Sequence, residues 1–158
     1  MLQDALDQCP CCMAYVSSLP KLILDIAAYI LYDTTIDWKQ EPCGLCLQPS
    51  PACLFYFKGL HSVIQVDMEK STCPQLSSRF WYTRAKSMTE ESPCGNVPVP
   101  CLHCRKNAPR VWKYNQYHFS AKHCSSPVPA DLQINQLEID ALCMHWDNWH
   151  SLKQKPSE

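Results

Sequence analysis

The sequence predicts an α+β fold: a small antiparallel β-meander with a Cys2His2-like finger helix, flanked by N- and C-terminal helices and stapled by zinc. Three observations predict it. The 158 residues include twelve cysteines, among them the close pairs Cys43/Cys46 and Cys101/Cys104. Runs of strand-like alternation lie between the two pairs, and apolar stripes at helical spacing lie near both ends. The length suits one domain of ordinary size. It divides into an N-terminal helical extension (1–40), a zinc-binding module with two metal sites (41–124), and a C-terminal helix with a disordered tail (125–158).

In chain order, the extension begins "MLQDALDQCPCC", where Asp4 and Asp7 occupy the place of the basic charge a secretory leader needs. Cys9, Cys11 and Cys12 read as surface thiols. "SLPKLILDIAAYILYD" then places Leu22, Ile23, Ile26 and Ile30 on one helical stripe and Lys21, Asp25, Ala28 and Tyr32 on the other, with Pro20 in the first turn. That run is too short and too interrupted to cross a bilayer. After Pro42, "ACLFYF" and "SVIQVDM" flank Gly59 as a hairpin, and "RFWYTRA" adds a third strand to the meander. "KSMTEESPCGNVPVP" is a loop. Asn107 and Pro109 predict a helix over 108–123, ended by "SSPVPA". Asp131 opens a last helix with a stripe of Ile139, Leu142, Trp146 and Trp149, and "SLKQKPSE" forms the tail.

Two thiols separated by two residues suit adjacent corners of a zinc tetrahedron and are poorly placed to bridge each other. The first site takes Cys43, Cys46, Cys53 and Cys73, because the hairpin brings Cys53 and Cys73 to its open end beside the Cys43 turn. Gly44 permits the tight turn there, and Cys94 is the alternative ligand. The second takes Cys101, Cys104, His118 and His123, the Cys-x2-Cys-x13-His-x4-His order of a finger. Cys124 competes with His123. Cys143, His145 and His150 read as a helix face rather than a third site. Two zinc ions would then be the main source of stability for the centre.

The motifs "EPCGLC", "PAC", "KSTC", "SPCGNVPVPCLHC" and "VWKYN", with His118 and His123, resemble a family of zinc-finger-like proteins of mushroom-type fungi. The likeness covers roughly Trp38 to Trp149. It implies zinc binding and, by analogy with finger domains, a nuclear nucleic-acid-binding role; no enzymatic activity is assigned to that family.

Charge is unevenly placed: net −4 over residues 1–42, +6 over 43–124 and −3 over 125–158. The basic centre suits phosphate contacts, and Arg105, Lys106, Arg110, Lys113, Asn115 and Gln116 are the candidates for duplex DNA on a helix entering a groove. Asn115 and Ala108 stand where groove-reading fingers carry core residues, which weighs against base readout. The alternative is a zinc-stapled protein-interaction module, with a protein partner or self-association through the N-terminal helix. "PCLHC" matches half of a zinc-deaminase motif, yet no His-x-Glu or Cys-x-Glu exists in the chain. Filled four-ligand sites also leave no corner for a reactive water. The expectation is therefore no enzyme, no small-molecule substrate and no membrane partner.

Overall fold

A computed structural model describes residues 7–10, 12–13, 15–16, 19–49, 52–59, 65–76, 93–101, 103–116, 118–119 and 132–153. The regular structure among the described residues comprises two α-helices, a short 3-10 helix at Trp38–Gln40 and short antiparallel strand pairs. The pairs are β1 (Asp7–Gln8) with β2 (Tyr15–Val16), β3 (Phe57–Lys58) with β4 (Gln65–Val66), and β5 (Pro98–Val99) with β6 (Val111–Trp112). The helices are α1 (Leu19–Tyr32) and α2 (Gln136–Lys153).

The α1 sequence is apolar on nearly every side, and the fold uses this by burying it all round. Every residue from Leu22 to Ile30 is buried, including Asp25 and Ala28 on the stripe expected to face water. The helix lies against β1, β2 and α2. Its apolar stripe is thus covered by the chain's own elements. Against α2, the Tyr29 and Trp146 rings meet edge to face with centroids 5.0 Å apart. The Tyr32 hydroxyl donates to the Ile139 carbonyl at 2.8 Å.

The start of α2 differs from expectation. The cap is Asn135, not Asp131: the Glu138 amide donates to Asn135 Oδ1 at 2.8 Å, and the Asn135 amide to Glu138 Oε2 at 3.3 Å. Such reciprocal satisfaction is a capping box, present in the sequence as Asn-x-x-Glu. At the other end Ser151, Leu152 and Lys153, expected in the tail, are helical. Of the expected stripe, Leu142 is fully buried, while Ile139 and Trp146 are half-buried.

In the centre, β3 and β4 form the expected hairpin in the register Phe57↔Val66. The third meander strand, "RFWYTRA", lies outside the described residues. A helix from Ala108 does not form. Residues 108 to 115 instead make a turn, the strand β6 and a second turn, with helical backbone at Gln116, His118 and Phe119. The β-branched Val111 and the aromatic Trp112 favour extended backbone, and it pairs with β5 in the register Pro98↔Trp112. The Arg110 amide also donates to the Phe55 carbonyl at 2.8 Å, so this pair continues onto the chain entering β3. Trp112 is buried against Phe55, edge to face at 5.1 Å.

Candidate metal centres

The first cluster is built by one turn and one hairpin. The Cys43–Cys46 turn closes with the Leu47 amide donating to the Cys43 carbonyl at 2.9 Å, and Leu47 takes a left-handed φ of 62°. Gly44 has no positive φ. Its role is close approach: a Cβ there would run into the Trp112 ring. Beyond the hairpin, the Thr72 amide donates to the Leu54 carbonyl at 3.0 Å, and the Leu54 amide donates to Thr72 Oγ1 at 2.8 Å. Pairing Leu54 with Thr72 makes their neighbours Cys53 and Cys73 adjacent.

All four sulfurs of Cys43, Cys46, Cys53 and Cys73 consequently lie within 4.8 Å of one another, and all four residues are buried. The separations are 3.7 Å for Cys43–Cys73, 3.3 Å for Cys46–Cys53 and 3.7 Å for Cys46–Cys73. A disulfide would need about 2.05 Å. The edge of a tetrahedron with zinc–sulfur bonds of about 2.3 Å is about 3.8 Å, which the cluster approaches. Burial pushes the Cys43 thiol up, while hydrogen bonds from Cys43 and Cys73 pull Cys46 down. Four thiols packed this way cannot ionise independently, because adjacent thiolates repel one another, and a divalent cation removes that conflict.

The second cluster lies on the connection between β5 and β6 and just past β6. Cys101, Cys104 and His118 place their donor atoms within 4.8 Å of one another. Cys104 Sγ is 3.5 Å from His118 Nε2, close to the roughly 3.5 Å edge expected between zinc-bound sulfur and nitrogen. His123 lies outside the described residues, as does Cys124. Burial opposes ionisation of the Cys101 thiol, but hydrogen bonds from the His103 amide, His118 and Cys104 hold it below the ordinary thiol range.

One participant was not foreseen. Glu41, buried, places Oε1 2.7 Å from His118 Nδ1. The imidazole therefore turns Nε2 toward the thiols and Nδ1 toward a carboxylate, the arrangement that fixes tautomer and ring orientation in metal-bound histidines. Against the cost of burial, this Glu41 bond raises the His118 pKa. Glu41 stands two residues before Cys43, and one cleft is lined by Glu41, Cys43, Cys53, Cys104 and His118 together. The two clusters thus share a wall. Only a Glu next to a cysteine knuckle was visible in the sequence, with nothing to point it at a histidine 77 positions away.

Cys94, the alternative ligand, joins neither group. It is buried with the Asn96 amide 3.4 Å from its sulfur, and burial pushes its pKa up to about 11.

The residues proposed for DNA do not share one helix. Asn115 is buried. Lys113 pairs with the buried Glu138 at 3.5 Å. Gln116 donates to the Lys113 and Leu132 carbonyls at 2.7 and 3.2 Å. Arg110 lies over the Phe57 ring, 4.3 Å from its centroid. Arg105 and Lys106 are exposed.

Among the described residues, no helix is long and apolar enough to cross a membrane. Comparison with protein-family models, with curated proteins and with solved structures gave no match.

Proposed function

We propose that the chain is a zinc-stapled interaction module, in which one ion is held by Cys43, Cys46, Cys53 and Cys73. A second is held by Cys101, Cys104 and His118, with His123 as the remaining ligand. The convergence of four buried sulfurs on one point carries this reading. Four protein ligands close the coordination sphere, so these ions organise the fold and activate no water. The sulfur-rich donor set favours zinc over hard, oxygen-seeking cations.

The ions would present a surface to a protein partner. Finger-type base readout presents polar side chains from one helix, whereas Asn115, Lys113, Gln116 and Arg110 are engaged within the domain. The exposed large apolar groups include Trp38, Leu137 and Met144, the last two seven residues apart on one face of α2.

Two measurements test the reading. Metal analysis of the purified chain should find zinc, and chelation should abolish the native near-ultraviolet circular dichroism of the centre; a metal-free chain with intact tertiary structure contradicts it. Duplex DNA titrated at two salt concentrations should show no strong binding. Salt-dependent binding whose slope falls by about two in an Arg105→Ala/Lys106→Ala variant would restore the DNA reading, and the nuclear location with it.

A further inference from the structure

We propose that Cys9, Cys12 and Asp25 form a third site for a zinc-like divalent ion, oriented by His145, which fastens the N-terminal hairpin to both helices. This site is separate from the two above and does not depend on them. Cys9 and Cys12 occupy the turn between β1 and β2, Asp25 is midway along α1, and His145 is on α2. Cys9 is fully buried, contrary to its reading as a surface thiol.

The turn itself supports the assignment. The Met13 amide donates to the Cys9 carbonyl at 2.9 Å, and Met13 has φ 63°. The Cys43–Leu47 turn has the same bond from residue five to residue one, also 2.9 Å, with φ 62°. Both sequences are Cys-x2-Cys followed by a long apolar residue in a left-handed conformation that such residues avoid. One copy delivers two sulfurs to the four-cysteine cluster. The other delivers two sulfurs to Asp25, with all three donor atoms within 4.8 Å of one another.

The distances suit an ion. Cys12 Sγ lies 3.6 Å from Asp25 Oδ2, and the edge between zinc-bound sulfur at about 2.3 Å and oxygen at about 2.0 Å is about 3.5 Å. Asp25 Oδ1 lies 3.2 Å from His145 Nε2, so one oxygen faces the thiols while the other is held by the imidazole. Burial works against the Asp25 charge, yet hydrogen bonds from His145, Cys9 and Cys12 keep its pKa below the ordinary value. A buried carboxylate beside two thiols creates a strongly negative pocket once the thiols ionise, and a divalent cation is the charge that balances it. Three protein donors leave the fourth corner to a water molecule.

The test is zinc content of the full chain by plasma mass spectrometry, with cobalt alone as a spectroscopic probe. Wild type should hold three equivalents, and Cys9→Ser/Cys12→Ser should hold two. If the double variant loses every ion through unfolding, Asp25→Asn decides, since it removes a ligand charge without opening a cavity; it should lose the third equivalent alone. His145→Gln should keep all three at saturating zinc, with the third bound about tenfold more weakly or worse and the others unchanged. A chain that saturates at two equivalents overturns the proposal while leaving the two-ion module standing. So does a third equivalent that survives both Cys9→Ser/Cys12→Ser and Asp25→Asn, or a Cys9–Cys12 disulfide in the native protein. Fewer than two equivalents in wild type would count against the module itself.

Discussion

Replacing Glu41 by Gln should weaken one zinc ion and spare the other. Glu41 meets His118 of the second cluster at 2.7 Å, buried on both sides. Gln keeps the side chain's size, and it carries the same backbone burden at the left-handed φ of 54° that Glu41 adopts, so the change is one of charge. A hydrogen bond to a charged group is worth about 1.5–3 kcal/mol and a neutral one about 0.5–1.5. The difference, roughly 1–1.5 kcal/mol, corresponds to a factor of about ten in affinity. That agrees with the lower end of the roughly 10–100-fold losses seen when partners of metal-bound histidines are removed. Glu41→Ala leaves Nδ1 unpaired as well and should approach a hundredfold. Competition against a chromophoric chelator, with ions released in separate steps, reads both affinities. An unchanged second ion, or equal weakening of both, would refute the inference that Glu41 orients His118.

Further expectations follow from single contacts. Gly44→Ala places a Cβ about 2.6 Å from Trp112 Cζ3, inside contact distance of a buried ring, and should cost about 1–3 kcal/mol in denaturant unfolding of the metal-loaded protein. An Ala variant as stable as wild type would mean that the turn and Trp112 are not packed as described. Asn135→Ala removes the acceptor of the Glu138 amide bond and should cost about 1 kcal/mol, lowering Tm by about 3 °C; Asn135→Asp should not. Cys94, its pKa pushed up to about 11 by burial, should resist iodoacetamide at neutral pH until the chain is unfolded. Rapid native-state alkylation of Cys94, located by peptide mapping, would contradict its burial.

The order of the first four ligands follows from local rules. A knuckle sets Cys43 beside Cys46, and a hairpin that pairs Leu54 with Thr72, eighteen positions further on, sets Cys53 beside Cys73; both are read from spacing and alternation because their causes lie within a few bonds or one turn. Helix α1 was likewise visible, since its apolar periodicity is intrinsic to the segment. Other decisions belonged to distant parts of the chain. The turn residues Asn107 and Pro109 are compatible with a helix start, but pairing with β5 and packing on Phe55 drew Val111 and Trp112 into a strand, because tertiary burial outweighs a weak local preference. In the same region Asn115 is buried and Lys113 is paired with Glu138.

The polymer's own order therefore determined which thiols could meet through short turns, and its apolar periodicity set helices near both ends. Only the tertiary structure decided that Glu41 faces His118 across 77 positions and that Asp25 meets His145 across 120. Such pairs leave no periodic trace in a sequence, because nothing local requires them: they exist where burial makes an uncompensated charge costly, and where long-range packing happens to supply the partner.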